Sequence, residues 1–196
     1  MDYGLVLPPG EEIAEEREAT QLDPANETAW INLAAAAQDA GDWTQEIEAA
    51  LALVKLDPED VDSAFYLAFA YQNAHQDEKM VAAFDAVRPA TPLDREQVTA
   101  GKLTYRALSD AKLRSQALTM IDALATHQAN TDVAGNLLQM YLALGETKPA
   151  LDLLESYCPA DPVACGGLAV NPVYRALHGN SRFKSLVKDY ATDTER

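Results

Sequence analysis

The 196-residue chain carries 31 acidic and 15 basic side chains, a formal charge of −16 that repels phosphate backbones and speaks against nucleic acid as a partner. Its 48% hydrophobic content excludes general disorder, and no apolar run approaches the roughly 18 residues a membrane-spanning helix requires, so no membrane insertion is expected.

The start, MDYGLVLPPGEE, has a short apolar patch without a basic leading segment or a small-residue cleavage site. That pattern points to the cytoplasm, with a periplasmic location as the alternative if a signal has been removed. Next comes EEIAEERE, residues 11 to 18, read as a solvated helix face or a docking surface for a basic protein.

QLDPAN at 21 to 26 returns as KLDPED at 55 to 60, with Pro24 and Pro58 34 residues apart. A fixed interval of this size signals stacked supersecondary units. On the same ruler, helix starts are expected at Asn26, Asp60, Asp94 and Asn130, whose side chains can accept hydrogen bonds from the free amides of a first turn. Turns between paired helices are expected 15 residues later, at Gly41, His75, Ser109 and Gly145, where a left-handed residue closes a helix. Asp42 and Asp110 then cap the second helices, and Pro58 and Pro92 are predicted to stop them.

Within the first helices, Trp30, Ala64, Val98 and Ala134 recur in phase, as do Leu33, Leu67 and Leu137, and Tyr71, Tyr105 and Tyr141. Large and small residues in register suit dense stacking of neighbouring hairpins. The third hairpin departs most: Gly101 stands where Leu is expected, and two extra residues precede Ala134.

Residues 27 to 60, through Trp30, Asn32, Leu33, Gly41, Asp42, Trp43, Ile47, Leu56, Asp57 and Pro58, resemble the tetratricopeptide repeat, with Glu46 standing where that family takes a small alanine. Residues 61 to 94 resemble it through Leu67, Ala68, Tyr71, Phe84 and Pro92, and residues 131 to 158 through Leu137, Tyr141, Gly145, Ala150 and Leu154. Residues 95 to 130 match by phase, and Ile13, Ala19, Leu22 and Pro24 in residues 1 to 26 look like the second half of a preceding repeat. The resemblance implies an all-α, right-handed superhelical solenoid of antiparallel helix hairpins, with a cap over residues 159 to 196. It also implies a concave groove that binds a peptide or helix.

Mapped by the family pattern, the groove positions are Ile31, Ala35 and Gln38, then Phe65, Phe69, Gln72 and Asn73, then Leu103 and Arg106, then Gly135 and Gln139. This lining is apolar and amide-rich, which differs from the basic clamps that grip a terminal carboxylate; Arg106 and Asn32 are the comparable groups here. Phe65 and Phe69, one turn apart, either bury a partner's apolar side chain or pack in the core.

After Cys158 the phase dissolves into CPADPVACGGLAV, and NPVYRALHGNSRFKSLVKDY reads as two short helices capped by Asn171 and Ser181. Tyr174, Leu177, Phe183, Leu186, Val187 and Tyr190 form their expected inner faces. This segment resembles the closing segment after repeats in bacterial multi-domain regulators. Cys158 and Cys165 bracket a six-residue loop that a disulfide could close.

His75, His127 and His178 are scattered without metal-site spacing, and no phosphate-binding Gly loop or nucleophile elbow occurs. The expected function is thus a non-enzymatic adaptor or assembly factor, without cofactor or metal, that binds a basic or hydrophobic protein segment. The alternatives are a self-assembling structural unit and a small-ligand sensor.

Overall fold

A computed structural model describes residues 9 to 127, 131 to 160, 162, 165 to 169 and 171 to 190. Among them are ten α-helices and no strand, so the fold is all-α. The chain divides at Thr91/Pro92 into two compact units.

The N-terminal unit holds α1 (Pro9–Leu22), α2 (Glu27–Ala40), α3 (Trp43–Leu56), α4 (Val61–Asn73) and α5 (Asp77–Ala83). Both Leu-Asp-Pro turns are built by their aspartates. The Asp23 carboxylate accepts from the Ala25 amide at 3.2 Å, and that of Asp57 from Glu59 at 2.8 Å and Asp60 at 3.3 Å. Each turn hands the chain to a capped helix, since Asn26 accepts from the Ala29 amide and Asp60 from those of Asp62 and Ser63. The two proline carbonyls are also met by donors: the Trp30 indole reaches Pro24 O at 3.0 Å, and the Arg88 amide reaches Pro58 O at 2.6 Å.

Helix α2 ends in a Schellman turn, with Gly41 at φ 71°, its amide bonded to Gln38 O and the Asp42 amide to Ala37 O. His75, at φ 55°, closes α4 with the same pair of bonds, to Gln72 O and Tyr71 O. A run of small residues lets α2 and α3 approach: Ala36, Ala37, Ala49 and Ala50 are buried. Ile13 and Trp30 pack against the cluster of Leu33, Ala34 and Ala49, bringing α1 onto the same core.

Pro92 does not stop the second helix of its hairpin. Helix α5 has ended by Ala83, and Pro92 opens the next helix, where its missing amide hydrogen costs nothing. Downstream, Pro89 disfavours helical backbone at Arg88, so the helix does not resume there, and the Arg88 amide bonds the Pro58 carbonyl.

The C-terminal unit holds α6 (Pro92–Ser109), α7 (Arg114–Leu124), α8 (Thr131–Ala143), α9 (Thr147–Tyr157) and α10 (Ser181–Tyr190). Asp94 lies in the first turn of α6, so it is no N-cap; Asn130 lies outside the described residues. Ser109 is not left-handed either. The chain continues with the Asp110 amide on Arg106 O, and Asp110 caps a 3-10 turn, Ala111–Leu113, that leads into α7. Gly145, at φ 73°, restores the Schellman pattern after α8, with bonds to Leu142 O and Tyr141 O.

Most of the in-phase positions are buried, each within its own unit. Ala64, Val98, Ala134, Leu33, Leu67, Leu137, Tyr105 and Tyr141 are buried, Gly101 sits at the corresponding core position, and Trp30 and Tyr71 are half-buried. Cys158 and Cys165 are joined by a disulfide. Beyond it, the first closing piece is a 3-10 segment, Pro172–Leu177, capped by Asn171 as expected. The second, α10, is capped by the Asn180 side chain on the Arg182 amide at 2.9 Å, in place of Ser181, which is the first helical residue. Leu177, Phe183 and Leu186 are buried, Tyr174, Val187 and Tyr190 half-buried, and Arg182 binds Asp152 and Glu155 of α9 at 2.7 Å.

Candidate functional site

In the N-terminal unit the expected groove positions separate by burial. Ile31 and Gln38 on α2 are half-buried and Ala35 is exposed, while Phe69, Gln72 and Asn73 on α4 are half-buried. Phe65 is corrected: it is 1% exposed and packs edge-to-face on Phe84, ring centroids 4.9 Å apart, which makes it core and removes it from any partner's reach. In the C-terminal unit Leu103 is corrected likewise, being buried in α6, whereas Arg106 and Gly135 are exposed and Gln139 is half-buried. Asn32 is exposed on α2.

Two residues of the N-terminal unit converge on a carboxylate that the expected groove positions did not include. Glu46, in the first turns of α3, is 4% exposed. Its Oε1 accepts from Gln38 Nε2 at 3.2 Å and from Asn73 Nδ2 at 2.9 Å, so two groove carboxamides from α2 and α4 meet on one oxygen. Because a carboxylate can only accept, these bonds turn both amide nitrogens inward. The other oxygen, Oε2, is buried and has no hydrogen-bond partner among the described residues.

Burial pushes the Glu46 carboxyl up to about 7, against the opposing effect of the Asn73 amide bond. The site therefore holds a carboxyl group that changes charge near neutral pH, bracketed by two amides and joining three helices. The sequence signal for it is a charged residue where the repeat pattern takes a small one. Its partners lie 8 and 27 residues away, on helices whose register must be known first.

The C-terminal unit joins two pairs of polar side chains across its helices and leaves the buried Thr104 hydroxyl without a hydrogen-bond partner among the described residues. Asn136 Nδ2 donates to Gln97 Oε1 at 2.9 Å, and the Tyr141 hydroxyl to Asp122 Oδ1 at 2.8 Å. A cavity of about 290 Å³ lies beside Tyr141, lined also by Ala125, Pro149, Asp152, Leu153 and Ser156. Its acidic member is engaged: Lys148 and Arg182 hydrogen-bond Asp152 and hold its carboxyl below the usual range.

Among the described residues no three His, Cys, Asp or Glu side chains gather as metal ligands, and no helix is long and apolar enough to cross a membrane. No protein-family model matches the chain, and no curated protein matches it in sequence.

Proposed function

We propose that the chain is a non-enzymatic interaction module of the tetratricopeptide-repeat kind, an adaptor or assembly factor that binds a peptide or helix along α2 and α4. The observation that carries this reading is the mixed, half-buried lining of those helices. Ile31 and Phe69 offer apolar surface beside the carboxamides of Gln38, Gln72 and Asn73. Apolar groups to receive a side chain, next to amides that can pair with a peptide backbone, are what recognition of an extended or helical segment requires. In the C-terminal unit, Arg106 and Gln139 remain candidate contacts. A right-handed solenoid is the arrangement this reading entails.

The test is affinity capture from lysate with the wild-type chain beside a Phe69→Ala/Gln72→Ala variant, with the fold of each followed by circular dichroism. The variant is expected to lose partners that the wild type retains. Equal recovery of every partner by two folded proteins overturns the assignment.

A second reading, self-assembly, draws on apolar side chains the N-terminal unit leaves in solvent: Leu22 at 79% exposure, Leu51 at 45% and Tyr66 at 44%. It predicts a mass in solution that rises with protein concentration, measured by light scattering, whereas the adaptor reading predicts a constant one.

A further inference from the structure

We propose that Glu46 is an ionic recognition point in the α2/α4 groove, where a lysine side chain of the bound segment displaces the Gln38 carboxamide and pairs with Oε2. The inference rests on the groove reading and names the chemistry of its ligand.

Glu46 satisfies one oxygen twice and the other not at all. A buried carboxyl group so arranged is incomplete in either charge state. Ionised, Oε2 holds charge without a donor; neutral, it carries a hydroxyl without an acceptor among the described residues. Burying such a group between three helices costs stability, and a ligand that supplies the missing partner offsets that cost.

The missing partner has a definite shape. Oε2 lacks one donor, and an ammonium supplies a single point donor, whereas a guanidinium binds best through a planar pair of bonds. Of the two amides on Glu46, Gln38 is half-exposed and holds it by the longer bond, 3.2 Å against 2.9 Å for Asn73, so it is the one a ligand displaces. The net charge of −16 favours approach of a basic segment.

The ionisable groups on the packed elements are Glu27 and Asp39 of α2, Asp42, Glu48 and Lys55 in and before α3, and Asp62, Tyr66 and Tyr71 of α4. None of them enters the balance at Glu46, which burial and the Asn73 amide account for. A bound ammonium would thus be its first close counter-charge. Binding near neutral pH then expels the Glu46 proton to solvent while the ammonium keeps all three of its own.

The test titrates the full chain, carrying glutamate labelled with 13C at the side-chain carboxyl, between pH 5 and 9 by NMR; Glu46→Gln identifies the signal by its loss. Two probes that differ by one ammonium are compared at equal ionic strength and high millimolar concentration: N-acetyl-lysine amide and N-acetyl-norleucine amide. We expect the Glu46 midpoint to be lower by about one pH unit with the lysine probe. Identical midpoints overturn the inference, and should the variant not fold, the wild-type carboxyl that titrates near pH 7 is the signal compared. If the midpoints are identical while Phe69→Ala/Gln72→Ala still loses partners, the ammonium fails and the groove stands. If the midpoint falls while that variant keeps every partner, the ammonium site stands and the groove reading fails.

Discussion

The two units solve the same packing problem with different treatment of buried polarity. In the C-terminal unit, Gln97 meets Asn136 and Tyr141 meets Asp122, while the buried Thr104 hydroxyl has no hydrogen-bond partner among the described residues. In the N-terminal unit, Glu46 gathers two amides on one oxygen and leaves the second bare. Matched pairs fix helix register at little cost and a lone buried hydroxyl costs little more, whereas a half-satisfied carboxyl weakens the packing that holds it. The difference locates the stronger functional candidate in the N-terminal unit.

The largest effect that sharpens this picture separates core from groove on α4. Phe65→Ala should cost about 3–5 kcal/mol, because it opens a cavity against Phe84, while Phe69→Ala, at a half-buried position, should cost less than about half as much. Chemical denaturation of both variants checks the ranking, and equal losses would erase the distinction between the two rings.

A smaller effect concerns pH. The Glu46 carboxyl is raised in the folded chain from 4.5 to about 7, so the folded state binds a proton that the unfolded state releases between those values. Its contribution is fully present below about pH 4.5, falls as pH rises, and is gone above about 7, a loss of at most about 3 kcal/mol. Glu46→Gln should flatten this part of the stability profile measured by urea unfolding from pH 4 to 8. An unchanged slope in the variant would show that Glu46 ionises freely in the fold.

The smallest effect tests two aspartates that look alike in sequence. Asp60→Ala removes a real cap and should cost about 1 kcal/mol, whereas Asp94→Ala, within a first turn that begins at Pro92, should cost about half that or less. Thermal unfolding of both reports the order.

Much of the fold was legible because its signals are local. Asn26 and Asp60 bond amides two or three residues away, and Gly41, His75 and Gly145 close their helices through bonds spanning five residues. Asp94, Ser109 and Pro92 shared the period but not the physics. Helix α5 ends at Ala83, and with α6 starting at Pro92 its 18 residues run through Ser109 in ordinary helical geometry. The candidate site was legible in part. Helical spacing placed Phe65 and Phe69 on one side of α4, but which of them is covered depends on Phe84 arriving from α5, and that contact has no signature in the spacing. Glu46 stood out as a misfit, while its role depended on Gln38 and Asn73 converging from two other helices.

The most direct measurement places a photo-crosslinking residue, p-benzoylphenylalanine, at Gln72 in one protein and at Leu51 in another, irradiates both in lysate, and identifies the adducts by mass spectrometry. Adducts with a different polypeptide from position 72 and none from position 51 are what the account predicts. Adducts from position 51 alone, to a partner or to a second copy of the chain, would contradict it and move the functional surface to the outer face of α3.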